Sequence, residues 1–118
     1  MTAQIPLQDI IIVEKTFQFA VQILKFSPVL QESRHFVLAN QLLRSGMSIG
    51  ANTREAQNAE SKADFIHKMK IAAKEAGETQ YWLMLCDHAP SYPDCKILIE
   101  KLEEVNKILN SILRTSKK

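Results

Sequence analysis

Glycine is scarce in this 118-residue chain, with 3 residues, and proline contributes only 4. Turns are therefore few and the regular elements between them long, which disfavours an all-β design with its frequent tight connections. Cysteine is limited to Cys86 and Cys95. They lack a CxxC spacing and the further ligands a zinc site needs, so they read as reduced thiols in a reducing compartment. No apolar run reaches the roughly 18 residues of a membrane span. The opening "MTAQIPLQDI" has no basic stretch leading into an apolar core. A cytoplasmic protein with no membrane association is expected. An excess of one charge is missing too: 15 Lys and Arg face 13 Asp and Glu, a net of +2. That balance lacks the basic surplus of a dedicated duplex-binding domain. The C-terminal Arg114, Lys117 and Lys118 are expected to be a solvated end.

Helical periodicity fills the chain instead. The length suits one domain. Ile10, Val13, Phe17, Ala20 and Leu24 recur at helical intervals, and Ile12, Phe19, Ile23 and Phe26 form a second stripe beside them. Pro28 is expected to end this first helix, because the residue before a proline is pushed out of the helical region. Ser33 then offers an N-cap for a second helix through Leu38, Leu42 and Ile49. Ser61, with Asp64 three positions on, makes a capping-box start to a third. "HAPSYPD" is a turn, and Leu98, Leu102, Val105, Leu109 and Ile112 give the fourth helix a clean period. The expected helices span about 7–27, 33–57, 61–88 and 93–115. Short connections make the fold all-α, an antiparallel up-down four-helix bundle.

The stretch "RSGMSIGANTREAQNAESKADF", residues 44 to 65, has the small and polar look of a site. Its glycines are not a phosphate loop, which needs Gly-x-x-x-x-Gly-Lys-Ser/Thr after a strand. Gly46 and Gly50 lie four apart in a helical pattern, where each costs roughly 1 kcal/mol relative to Ala. Close approach of a neighbouring helix accounts for them, the other reading being a break near Gly50. Arg44, Ser48, Asn52 and Glu55 share a helix face. Lys70, Lys74 and Glu78 share one on the third helix, with Glu75 nearby. The first reading is a structural polar network of Arg44, Ser48, Asn52, Glu55 and Glu78 between helices two and three. A ligand or nucleic-acid contact and a plain solvated face are the alternatives. No catalytic residues, metal site, cofactor or small-molecule substrate are expected. Di-iron bundles take paired Glu-x-x-His motifs, and no second one accompanies Glu32 and His35, since His67 and His88 lack the Glu.

Helix three is apolar on two sides. Phe65, Met69, Ala72, Ala76 and Leu83 form one; Ile71, Trp82 and Leu85 lie away from them, on the stripe that includes Glu75 and Glu78. A helix in a monomeric bundle needs one apolar face. A second one carrying the sole Trp points to an oligomer interface at Ile71, Glu75, Trp82 and Leu85. The bland reading has Trp82 lying over its own bundle.

"LLRSGMSIGANTREAQNAESKADFIHKM" followed by "KEAGETQYWLMLC" resembles the four-helix-bundle family of proteins encoded in intervening sequences of bacterial 23S ribosomal RNA genes. The family's Arg, Ser-Ile, and Asn with Glu three later are matched by Arg44, Ser48, Ile49, Asn52 and Glu55. Ser61, Lys62, Phe65 and Glu78 match the start and middle of its third helix. Gly77 sits in the small-residue part of that helix and suits close packing. The resemblance implies a ring-like homopentamer without enzymatic activity. More distantly related accessory proteins of diversity-generating retroelements bind nucleic acid and a reverse transcriptase through basic surfaces. RNA or a nucleic-acid-processing protein is accordingly the expected partner, through Arg54, Lys62, Lys68, Lys70 and Lys74. The competing expectation is a scaffold that docks a protein without nucleic acid.

Overall fold

The periodicity becomes four helices in the computed structural model, which describes residues 5–116. They are α1 (Leu7–Glu32), α2 (Phe36–Ala56), α3 (Lys62–His88) and α4 (Lys96–Ser116). Packing joins α1 to α2, α2 to α3, α3 to α4, and α4 back to α1. Contacts along each seam fix the directions. Ile23 meets Gly46 while Thr16 meets Gly50; Ser45 bonds Thr79 while Glu55 pairs with Lys68; Gln8 bonds Ser111 while Lys15 pairs with Glu104. In each case a rising number on one helix meets a falling number on the other, so these neighbours are antiparallel. The Cys95 thiol, returning from the 89–95 turn, donates to the Leu83 carbonyl at 3.4 Å, which folds α4 back along α3. The result is an up-down four-helix bundle measuring 54 × 21 × 19 Å.

The core is a column of apolar side chains along the axis. Ile12, Phe19, Ile23 and Leu30 come from α1; Leu42 and Ile49 from α2; Met69 and Leu83 from α3; Leu102, Val105 and Leu109 from α4. Each is at most 1% exposed, and burying one such side chain stabilises by roughly 1.5–3 kcal/mol. On α1 the second stripe of the sequence is therefore the core stripe. The first faces outward, with Ile10, Phe17 and Leu24 each about half exposed.

Pro28 does not end α1, which runs four residues beyond it. A proline in a helix removes one hydrogen bond and crowds the carbonyl four residues back, at a cost of about 3 kcal/mol. Here Leu24 and Pro28 both lie on the exposed side, where water can hydrate the freed carbonyl. Continuing the helix buries Leu30 completely. Ser33 is consequently the C-cap of α1 rather than the N-cap of α2, which begins at Phe36. The Arg34 N–H donates to the Gln31 carbonyl at 2.9 Å and the His35 N–H to the Leu30 carbonyl at 2.8 Å. That pair of bonds is a Schellman motif, with Arg34 at φ 65° in the position glycine usually takes.

Other boundaries follow their caps. The Ser61 side chain accepts the Asp64 N–H at 3.0 Å, and Asp64 in turn accepts the Glu60 N–H at 3.2 Å. Asp94 accepts the Lys96 N–H at 3.0 Å, so α4 starts after Pro93 rather than at it. Cys86 and Cys95 are free and buried. The interaction between the two neighbouring thiols pulls Cys86 below its ordinary pKa and, with burial, pushes Cys95 well above.

Arg34→Gly should raise stability. The left-handed conformation costs a residue with a Cβ roughly 1–2 kcal/mol, offset by the greater unfolded freedom of glycine, about 0.5–1 kcal/mol. A net gain on the order of 0.5–1 kcal/mol is expected in urea unfolding, and no gain would mean that the motif is relaxed in solution.

Candidate functional site

The small residues of α2 are divided between two seams. Toward α1, a Cβ added at Gly46 would lie 2.9 Å from Ile23 Cγ1, and one at Gly50 would lie 3.3 Å from the Thr16 carbonyl oxygen. The glycines are there because another helix lies against them, and that helix is α1. The helix also runs unbroken through Gly50. Buried Thr16 and Thr53 join hydroxyls across this seam at 3.0 Å. Toward α3, buried Thr79 donates to the Ser45 hydroxyl at 2.9 Å. Gly77 departs from its expected role: a Cβ there would meet nothing within 4 Å.

The five residues expected to form one polar network do not all meet. Arg44 of α2 pairs with Glu78 and lies 3.6 Å from Glu75, while also bonding Gln41. Its side chain is 53% exposed. Ser48 donates to the Ser45 carbonyl and Asn52 to the Ser48 carbonyl, both within α2. Glu55 pairs with Lys68 at 3.1 Å near the surface. One three-membered ion cluster and one separate ion pair replace the network. Half-exposed pairs of this kind contribute about 1 kcal/mol or less. The buried interhelical polar contacts belong instead to Thr16, Thr53, Ser45 and Thr79, whose short side chains gave the sequence only a faint signal.

Beside the Arg44 cluster lies a groove between α2 and α3 of about 360 Å³, lined by Val37, Leu38, Gln41, Trp82, Leu85, Ala89 and Tyr92. Trp82 is half-buried, Val37 is 79% exposed and Leu85 45%. The Trp82 indole nitrogen is buried without a hydrogen-bond partner, whereas Glu75 Oε2 has the Arg44 guanidinium 3.6 Å away. Buried Trp N–H groups ordinarily find an acceptor, so the Trp82 nitrogen stands out. Tyr92 closes the end of the groove, stacked on His35 with centroids 3.6 Å apart. Of the four residues expected at an interface, Trp82 and Leu85 line this groove. Glu75 faces Arg44 two turns away, and Ile71 is half-buried further along α3. Val37 and Leu38 of α2 complete the groove without belonging to the Trp82 stripe, and Tyr92 joins it from the turn after α3.

The basic residues are dispersed. Lys70 and Lys74 are exposed on α3, Lys68 is engaged by Glu55, and Arg54 lies beside Phe17 and Met47 on the α1 side of α2. Lys62 opens α3, and Lys117 and Lys118 fall outside the described residues. No group of three or more His, Cys, Asp or Glu able to hold a metal occurs among the described residues. No helix among them is long and apolar enough to cross a membrane.

An up-down bundle with this α2 and α3 also has counterparts among known proteins. The sequence model of the 23S rRNA-intervening sequence protein family matches residues 8–111. The chain belongs to that family. A crystal structure of a protein of unknown function from the S23 ribosomal protein family, from Bacteroides thetaiotaomicron VPI-5482, superposes with a TM-score of 0.86 at 42% identity. The match covers 92% of this chain and 99% of the other. No curated protein matches. In this family member the motif residues that carried the resemblance sit on the α2–α3 side: Arg44 and Glu78 join the two helices, and Glu55 ties α2 to the first turns of α3.

The glycines provide a direct check on the seam. Gly46→Ala gains about 1 kcal/mol of helix propensity but overpacks Ile23, which typically costs 1–3 kcal/mol. A net loss of roughly 1 kcal/mol is expected in urea unfolding. Gly77→Ala, in open space, should instead gain up to about 1 kcal/mol. Equal effects at the two positions would contradict the close approach of α1 and α2.

Proposed function

We propose that this family member is a non-enzymatic module that self-assembles through the Trp82 groove into a homopentamer and presents the assembled surface to RNA or to a nucleic-acid-processing protein. The unpartnered Trp82 indole nitrogen at an apolar groove is the observation that carries the self-association. Exposed apolar patches of this kind mark contact sites on soluble proteins, and Trp is enriched where binding energy concentrates. Five copies in a ring follow from the family's assembly, as the resemblance implies it. The non-enzymatic reading draws support from Arg44, which couples two carboxylates of one helix and thereby fastens α2 to α3.

Contact with nucleic acid is the finer part of the proposal and rests on Lys70 and Lys74, the two exposed basic residues that repeat on the outer side of α3. The dispersal of Arg54, Lys62 and Lys68 away from them favours the second reading, a scaffold whose partner is a protein.

Light scattering on a sizing column should give several times the chain mass for the wild type and a smaller species for Trp82→Ala; an unchanged mass would remove the groove from the interface. Titration with structured RNA at two salt concentrations separates the two partners. Phosphate binding must weaken steeply with salt, and absence of binding at low salt would leave the protein scaffold.

A further inference from the structure

Two side chains at the end of the bundle where α3 turns into α4 take no part in the assembly proposed above. Cys86 lies in the last turn of α3, and Cys95 immediately precedes α4, its carbonyl accepting the Ile99 N–H at 3.1 Å. Each thiol reaches across the gap to the other's segment. Cys86 Sγ donates to the carbonyl of Pro93, just before Cys95, at 3.5 Å. Cys95 Sγ donates to the carbonyl of Leu83, one turn before Cys86, at 3.4 Å. The two side chains thus enter one narrow space from opposite walls, and their thiols are neighbours. A disulfide needs this convergence of the two Cβ directions. A buried cysteine by itself is only a small apolar residue; two that face each other can be joined. Both are at most 2% exposed, so neither thiol is open to a second chain. Cys95 nevertheless lines a cavity of about 240 Å³ between α1 and the start of α4, beside Phe26, Val29 and Leu98. Water takes about 30 Å³ of liquid volume, so hydrogen peroxide, with one more heavy atom, has room there.

We propose that peroxide joins Cys86 and Cys95 in a reversible disulfide within the chain, and that the bond reshapes the turn at the end of the Trp82 groove. Cys86 ionises the more readily, because the neighbouring Cys95 thiol holds it below its ordinary pKa while Cys95 itself is pushed up. The Cys86 thiolate attacks one peroxide oxygen, the O–O bond breaks, and a sulfenic acid and a hydroxide result. The Cys95 sulfur then attacks the sulfenic sulfur. The S–S bond forms, the S–O bond breaks, and a second hydroxide departs. The two thiol protons turn both hydroxides into water, so two thiols lose two electrons and one peroxide gains them. Bonded sulfurs lie about 2 Å apart, nearer than unbonded ones can, so the Cys95 end of the turn must move toward α3. That turn carries Ala89 and Tyr92, which line the groove with Trp82, and Tyr92 stacks on His35 at the corner between α1 and α2. The groove's end therefore moves with the bond, whatever occupies the groove.

The wild-type chain provides the test. Treated with hydrogen peroxide and then unfolded in maleimide, it should take up no label and run as a single chain on a non-reducing gel. Dithiothreitol should restore both labelling sites. Amide spectra of the nitrogen-labelled protein should show Tyr92 shifting together with Val37 and Leu38, which line the groove from α2, outside the bonded loop. All three should return with dithiothreitol. Cys95→Ala should show neither effect, and Cys86→Ala replaces it should that variant unfold. Full maleimide labelling after peroxide, or a sulfinic acid that dithiothreitol does not reverse, would remove the disulfide. A crosslink between chains would remove the pairing within one chain. A disulfide whose shifts stay inside residues 86–95 would remove the link to the groove. None of these outcomes turns on the assembled mass, so a failure here leaves the proposed self-association standing.

Discussion

The bundle depends on how closely α1 and α2 approach. At Gly46 and Gly50 the absence of a Cβ lets Ile23 and the Thr16 backbone of α1 lie directly against α2. Two glycines in a helix are a standing cost of about 1 kcal/mol each, and the seam offsets it through buried contact and the Thr16–Thr53 hydroxyl pair. Each threonine also lies within reach of a carbonyl of its own helix, Thr16 of Ile12 at 2.7 Å and Thr53 of Gly50 at 2.9 Å, so one hydroxyl donates across the seam and the other to its own helix. No buried hydroxyl is left unmatched at the point of closest approach, where an orphan would cost roughly 1–3 kcal/mol. The tight seam has a second effect. Side chains that flank it cannot enter between the helices, so Phe17 and Met47 lie over the outside.

The α2–α3 seam is built differently. Ser45 and Thr79 bond at its base, and larger side chains fill its outer part, with Gln41 and Arg44 reaching from α2 to Glu75 and Glu78. Toward the end where α1 turns into α2, the charged residues give way to Val37, Leu38, Trp82 and Leu85, and the seam opens into the groove. A single helix, α2, thus meets one neighbour through bare glycine and the other through side chains. The asymmetry comes from which of its faces carries glycine.

Much of this was legible in the residues. The four helices, the core period of α4 and the Ser61–Asp64 cap follow from local spacing, because each is decided within a turn or two of chain. Gly46 and Gly50 announced a close neighbour but not which one, since a missing Cβ says nothing about what fills its place. Pro28 misled because its cost is local, whereas the burial of Leu30 that outweighs it is tertiary. Helical periodicity placed Arg44, Ser48, Asn52 and Glu55 on one face correctly. It could not say that short Ser48 and Asn52 would bond their own backbone while the long Arg44 and Glu55 reached across. The double stripe on α1 was as plain as the one on α3, yet only the Trp drew attention to the second.

Charge decides what an assembled form could do with nucleic acid. Each chain carries a net of +2, and one of its candidate lysines, Lys68, is already matched by Glu55. Neighbouring copies in a ring would be spaced by about the 20 Å width of the bundle. That is more than twice the roughly 8 Å over which charges are felt at physiological salt, so the fields of successive subunits hardly sum. Repetition around a ring would act through multivalency instead: several weak contacts tied together bind far more tightly than one. This favours a long or structured RNA that can touch several copies of Lys70 and Lys74 at once over a short one that reaches a single subunit.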